Sequence, residues 1–408
     1  MNRIELPAFR VIEAALRTTT SRLILELREP QVHMPDWNDF EWGVARAVCA
    51  MQGIAGLLAT RLRWQGPRAF NDFLAYQRRE IEERNLRIGT LLGKLDLTFR
   101  EGGLPFIALK GSALRELHLH GPGERPQSDI DLLIDPSRRA ECRPLLSSLG
   151  YEQQFSIRRH DVYQPAHSIA GPDLGDHASS PLKIEVHSAV AETLPVESVD
   201  ITASLVGAPL TPGANPYASR SALMRHLCLH TAGNLRFRAA RFIQIYDIAL
   251  LARRMTHTDW RDVLGVGESR LQTWWMFPAL VLAERHFPRS VPATALSRLR
   301  SRCPWRLRNR YEHVDFRDVS WSNLRVEVLP GHEWLRTIGD LQRFVRSRVS
   351  PPHVDVDETE RVLAAQPHLE QVRWFAATRM ERAVRWLFLR PPRVQTISAV
   401  TSALREAA

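Results

Sequence analysis

The sequence predicts an α+β protein, with a small mixed sheet set between an N-terminal and a C-terminal helical region. Three observations predict it. Residues 1–100 carry apolar side chains at helical spacing. Near residue 100 the pattern changes to short apolar runs separated by glycine and proline turns. From residue 219 onward helical spacing returns. A chain of 408 residues has room for more than one core. The expected division is a helical region over 1–100, an α/β core over 101–190, a helical region over 191–350 that closes a cleft, and C-terminal helices over 351–408.

The elements follow in chain order. Ile12, Ala15, Leu16 and Leu23 form the stripe of a first helix, broken near Pro30. A second helix is expected over 39–63. A third, long and highly charged, covers 69–99 with Phe73, Leu74, Ile81, Leu91 and Leu95 among its apolar positions, and Gly102-Gly103 ends it. Residues 104–109 read as a strand, Gly111 as a sharp turn, and 113–119 as a helix stopped by Gly121-Pro122-Gly123. Residues 128–134 read as the next strand, and Pro136 opens a helix that ends at Gly150. One or two strands are expected within 151–163, a loop over 165–181 and a strand over 182–187. Residues 190–218, which contain Pro195, Pro209, Pro212 and Pro216, read as irregular. Helices are then expected over 219–236 and 239–255 as an antiparallel pair, and over 260–287, 292–311, 334–349, 357–365, 369–389 and 396–407, with Pro351-Pro352 as a linker.

The net charge of +10 rests on 55 Lys and Arg residues, nearly all of them Arg. They scatter along the chain, which fits a GC-rich codon bias better than a dedicated nucleic-acid surface. The arginines from Arg298 to Arg310 are the one local basic patch. Cys49, Cys142, Cys228 and Cys303 form no C-x-x-C pair and read as buried thiols, which argues against a cysteine zinc site or a disulfide framework. No run approaches the roughly 18 apolar residues of a membrane helix. Arg3, Glu5, Arg10 and Glu13 do not resemble a secretory leader. A cytoplasmic protein with no membrane partner is expected.

The most informative residues are Asp129 and Asp131, which flank Ile130 near the start of an apolar run. Alternation along a strand points both carboxylates to one face, about 7 Å apart. Like charges so placed repel, and a cation between them relieves the repulsion. Glu185, between Ile184 and Val186, would add a third carboxylate from another strand; Asp161, Asp173 and Asp176 are the alternatives for that role. Such an oxygen-rich cluster suits Mg²⁺ or Mn²⁺ and metal-assisted phosphoryl or nucleotidyl transfer. Gly111 lets the backbone turn sharply and a phosphate approach, Ser112 offers a hydroxyl and Lys110 a charge. An ordinary strand-to-helix turn with Ser112 as a helix cap is the plain alternative. Arg125 stands to hold a triphosphate or to pair with Asp129. His226 and His230, four apart on one helix, read as core or hydrogen-bonding residues, or as lining the cleft. Asp247, in a strongly apolar helix, is expected to pair with an arginine or histidine, or to face the cleft.

Several stretches together resemble a known family. They are Lys110-Gly111-Ser112-Ala113-Leu114, the run Arg125-Pro126-Gln127-Ser128-Asp129-Ile130-Asp131-Leu132-Leu133-Ile134, Leu149-Gly150-Tyr151, Ile184-Glu185-Val186-His187, and the helix holding Asp247-Ile248. They are similar to the motifs of the bacterial uncharacterised nucleotidyltransferase family of the polymerase-β-like superfamily, over about residues 85–255. The resemblance implies a polymerase-β-like core and metal-dependent nucleotidyl chemistry. The leading expectation is transfer of an NMP from an NTP to an unidentified acceptor hydroxyl on a small molecule, peptide or protein. Asp129, Asp131 and Glu185 would be its metal and catalytic residues, and Lys110, Gly111, Ser112 and Arg125 would contact the nucleotide. A catalytically inactive nucleotide-binding or toxin–antitoxin-type regulatory module is the alternative. An RNA-binding protein driven by the arginine surface is a third reading, less favoured.

Overall fold

The computed structural model describes residues 6–157, 160–167, 174–207, 209–265, 272–327, 329–349 and 393–405. The chain begins with helices. α1 (Phe9–Arg28) buries the expected stripe, including Ile12, Leu16 and Leu23. α2 (Asp39–Gln52) opens on a capping box, in which the Asn38 side chain accepts from the Glu41 amide and the Glu41 carboxylate from the Asn38 amide. The single helix expected over 39–63 is two helices. Gly53, at φ 68°, stops α2, and α3 (Ala55–Arg61) leaves at 114° to it. Glycine alone takes this backbone without strain, and a Cβ there would press on Arg241 and Ile243. α4 (Arg68–Glu101) matches the expected long helix and ends at Gly102.

Next come β1 (Pro105–Ala108), α5 (Gly111–Glu116), β2 (Asp129–Leu133), α6 (Cys142–Ser148), β3 (Tyr151–Ser156), β4 (His160–Pro165) and β5 (Lys183–His187). Pro136 opens a 3₁₀ turn, Pro136–Glu141, ahead of α6, where one helix was expected. The stretch 190–218 is less irregular than its prolines suggest. β6 (Ala191–Thr193) pairs with β7 (Ser198–Asp200), and β8 (Gly213–Asn215) joins the main sheet parallel to β1. Strands of three residues are too short for a period to show. The six-stranded mixed sheet has the order β3-β4-β5-β2-β1-β8. β2 lies parallel to β5 and antiparallel to β1.

The alternation along β2 and β5 gives the sheet two unlike faces. Ile130, Leu132, Ile184 and Val186 pack in one core with Ile88, Leu95 and Phe99 of α4 and Leu146 of α6. The residues between them, Asp129, Asp131, Glu185 and His187, share the other face. Arg84 of α4 is buried and ties the two approaches to that face together. Its guanidinium donates to the carbonyls of Gln127, Ser128 and Ser180, each at 2.8 Å, and so joins the segment entering β2 to the segment entering β5.

Helices then return with α8 (Arg220–Arg236) and α9 (Phe242–Ala252), which pack together, after a short α7 (Thr202–Leu205). The helix expected over 260–287 is divided: α10 (His257–Val263) is separate from α11 (Phe277–His286). Pro304 divides 292–311 into Ala293–Arg302 and Trp305–His313. Ile338–Val349 follows. The last described helix, Val394–Arg405, packs on α2, where Arg46 donates to the Ala403 carbonyl at 2.6 Å. Both ends of the chain therefore share one apolar core with α8 and α9. The helices expected over 357–365 and 369–389, the linker at 351–352, and Asp173 lie outside the described residues. No single described helix is long and apolar enough to cross a membrane; α2 and α3 reach that composition only as their bent pair.

Candidate active site

β2 and β5 lie side by side in register, with Asp131 opposite Glu185, Asp129 opposite Lys183 and Leu133 opposite His187. On the next strand His160 stands opposite His187. Two of the expected carboxylates are thus direct cross-strand neighbours, and Asp129 is two residues along the same face. Asp131 is the most enclosed. Its Oδ1 accepts from Lys110 Nζ at 3.0 Å and from His187 Nε2 at 2.8 Å. His187 Nε2 is 3.5 Å from Glu185 Oε2, and His160 Nε2 is 3.8 Å from the same oxygen. One donor atom from each of His160, Glu185 and His187 comes within 4.8 Å of the other two, a group able to hold a metal ion.

The charges do not balance. Burial, then Asp131 and Glu185, push the Asp129 carboxyl up to about 6. Asp131 moves the other way: burial opposes it, but the Lys110 ammonium and His187 hold it well below the usual carboxylate range. Burial also opposes ionisation of Glu185, yet His187, His160 and Lys110 keep it low against the push of Asp131. Lys110 is raised despite burial because three carboxylates face it. His187 is likewise raised against burial by Asp131 and Glu185, whereas burial lowers His160 and favours its neutral form. Lys110 and His187 thus serve Asp131 and Glu185 most closely, while Asp129, acted on from farther off by Lys110, Arg84, Arg125 and Arg241, is the acid least readily ionised.

Lys110 reaches Asp131 through an unusual backbone. It sits at φ 48° and ψ −113°, a conformation that costs a residue with a side chain about 1–3 kcal/mol. The surroundings hold it there. Its amide donates to Tyr217 Oη at 3.1 Å, and its carbonyl accepts from the Leu114 amide at 3.0 Å. Tyr217 Oη in turn hydrogen-bonds His226 Nδ1, 2.7 Å away on α8. Burial keeps that phenol protonated and that imidazole neutral. His226 is thus a hydrogen-bonding residue, and α8 closes over the turn. Lys94, Lys110 and Lys183 are the only lysines in the chain; Lys110 bonds Asp131, and Lys183, opposite Asp129 in register, is exposed.

The remaining predicted residues form the support of this turn. Gly111 is where Arg125 and Gln127 pack, since a Cβ would meet Arg125 Nη1 at 2.6 Å and Gln127 Oε1 at 2.7 Å. Ser112 is fully buried, and its hydroxyl accepts from Gln127 Nε2 at 3.1 Å. It is not a helix cap; Lys110 holds the cap position of α5 and makes no side-chain cap bond. Arg125 pairs with Asp247, not with Asp129. Its Nε lies 3.0 and 3.1 Å from the two Asp247 oxygens and its Nη2 2.8 Å from Oδ2, while His120 Nε2 is 2.7 Å from Oδ1. Asp247 so has both an arginine and a histidine. Asp161 is bound to Arg139 at 2.6 Å and Asp176 faces Arg241 and Arg84, so neither joins the cluster. Sequence reasoning passed over Arg84, His160 and Tyr217, and quoted His187 without a role. Arg84 had a signal, because it falls on the buried stripe of α4 between Ile81 and Ile88.

A mixed six-stranded sheet flanked by helices, with acidic and imidazole side chains on one face beside a strained lysine turn, defines the class of this protein as α+β. The chain belongs to the uncharacterised nucleotidyltransferase family, whose sequence pattern matches residues 38–288, more than half of its length. No curated protein and no solved structure matches it.

Proposed function

We propose that the protein is a divalent-cation-dependent nucleotidyltransferase with a polymerase-β-like core, and that it transfers an NMP from an NTP to an acceptor hydroxyl. The observation that carries this reading is the surplus negative charge of Asp129, Asp131 and Glu185 on one face of two adjacent parallel strands. Membership of the family supports it. The carboxylate oxygens are hard donors and fit Mg²⁺ or Mn²⁺. Asp129 and Asp131 would hold the ion, which when bound neutralises charge on the α-phosphate and favours attack there. Lys110 places a compact ammonium where the NTP phosphates would lie. Glu185, held ionised, either takes the proton of the acceptor hydroxyl or helps to hold a second ion. Gly111 brings the main chain close to the β- and γ-phosphates. Ser112 and Arg125, committed to Gln127 and Asp247, fix the shape of that turn.

The test is pyrophosphate release from each labelled NTP with Mg²⁺ or Mn²⁺ over a panel of acceptors. Asp129→Ala with Asp131→Ala should abolish it, and turnover retained in that variant would remove the proposal. One observation favours a second reading, an inactive nucleotide-binding or regulatory module: Asp131 Oδ1 already accepts from both Lys110 and His187. Calorimetry separates the two. NTP binding that is indifferent to divalent cations, with no product over hours, would support the module.

A further inference from the structure

The imidazoles beside the carboxylates are not explained by an oxygen-donor site. His160 and His187 come from adjacent strands and stand opposite one another, with ring centroids 5.0 Å apart. Two imidazoles so placed repel if both are protonated. His187 Nε2 hydrogen-bonds Asp131 Oδ1 at 2.8 Å, and it and His160 Nε2 also lie near one oxygen, Glu185 Oε2, at 3.5 and 3.8 Å, longer than good hydrogen bonds. The three donor atoms all lie within 4.8 Å of one another, and the 3.5 Å pair already has the spacing of ligands around a shared ion. With bonds of about 2.0–2.2 Å, the ligand atoms of a tetrahedral ion lie about 3.3–3.6 Å apart. The side chains of His160, Glu185 and His187 keep 20%, 22% and 14% exposure, enough for an ion to enter from solvent.

We propose that His160, Glu185 and His187 form a second cation site, distinct from the oxygen donors Asp129 and Asp131, and that it takes a borderline transition-metal dication of the Zn²⁺ or Co²⁺ kind. The donor set decides the class. Two imidazole nitrogens and one carboxylate suit these ions, whereas Mg²⁺ prefers oxygen ligands and keeps its waters. His187 releases the proton on Nε2 to solvent when it ligates. Asp131, 2.8 Å from that nitrogen, stands at the edge of both sites and couples them. Glu185 is then a ligand of the second ion and not the base, which chooses between the two roles left open above. Use of this ion in catalysis rests on the function proposed above; its binding does not.

The experiment is titration of the full-length protein with Co²⁺, Zn²⁺ and Mg²⁺, followed by calorimetry and by the visible absorption of bound Co²⁺. One equivalent of Co²⁺ should give the visible bands of an imidazole-ligated, near-tetrahedral ion, and Zn²⁺ should displace it. His160→Ala, and separately the milder His160→Gln, should weaken Zn²⁺ and Co²⁺ by at least about tenfold while Mg²⁺ affinity stays within about twofold. Asp129→Ala should do the reverse. Zn²⁺ binding no tighter than Mg²⁺ in the unaltered protein, or unchanged in both His160 variants, would overturn the inference. That failure is separate from failure of the proposed function, which appears as absent NTP turnover with the Co²⁺ bands intact.

Discussion

Asp131 and Asp247 are almost equally buried, at 3% and 2% exposure, and each accepts from a basic side chain and an imidazole. Their surroundings differ in one respect. Asp247 is a single carboxylate gripped by the Arg125 guanidinium and capped by His120, so its charge is met within the fold. Burial opposes its ionisation, and Arg125 and His120 still hold it below the usual carboxylate range. Asp131 shares its partners with Glu185 and Asp129, and the third acid is left with its carboxyl pushed up to about 6. The first cluster meets its carboxylate's charge with Arg125 and His120 and joins the β2 approach to α9. The second leaves Asp129 ionised only with difficulty at a partly open face. A satisfied ion cluster is a device of structure, and an unsatisfied one is prepared for something that binds.

Substitutions at the two clusters should separate these roles. The largest effect is expected from Asp129→Ala with Asp131→Ala: pyrophosphate release falls by on the order of 10³-fold or more, which corresponds to several kcal/mol of lost charge stabilisation. Thermal unfolding should show the fold retained; an unfolded double variant would erase the contrast. Asp247→Ala should act on stability, by about 3–5 kcal/mol, because Arg125 is left buried without its partner. Urea unfolding reads this, and a cost below 1 kcal/mol would make the Asp247 cluster dispensable.

Asp129→Asn should act in the opposite sense. The folded chain holds the Asp129 proton more tightly than the unfolded chain does, at about 6 against about 3.9. Ionised Asp129 therefore costs stability above pH 6, and the cost fades as pH falls toward 4. Without divalent cations the asparagine variant should be more stable at pH 7.5 by about 1–2 kcal/mol, after allowance for partial exposure, and equal to the parent near pH 4. An asparagine variant less stable at pH 7.5 would deny the charge surplus. The smallest effect is expected from Tyr217→Phe. It removes the acceptor of the strained Lys110 amide, and should cost about 1 kcal/mol of stability with a fall in turnover at unchanged cation affinity.

Much of this was legible because strands repeat every two residues. The alternation Asp129-Ile130-Asp131 placed both acids on one face before any partner strand was known, and Ile184-Glu185-Val186 did the same for the third. The glycine pair at 102–103 ended α4 as expected. What escaped depended on pairing between distant segments. His160 becomes a neighbour of Glu185 only through the register of β4 on β5. Tyr217 lies where no period shows, and Arg125 meets Asp247 across 122 positions of sequence. Gly53 was readable in principle, but a smooth apolar stripe on both sides concealed the break between α2 and α3. Lys110 carried a signal of another kind. It is one of three lysines in a chain whose basic residues are nearly all arginine, and it alone of the three is not exposed.

The central claim is that the face shared by Asp129 and Asp131 holds the cation that works on a nucleotide. Anomalous diffraction from crystals grown with Mn²⁺ and a non-hydrolysable NTP tests it most directly. The account predicts a manganese peak bound by the Asp129 and Asp131 carboxylates and by an oxygen of the nucleotide α-phosphate. A nucleotide bound elsewhere, or bound with no manganese at these two residues, would contradict it.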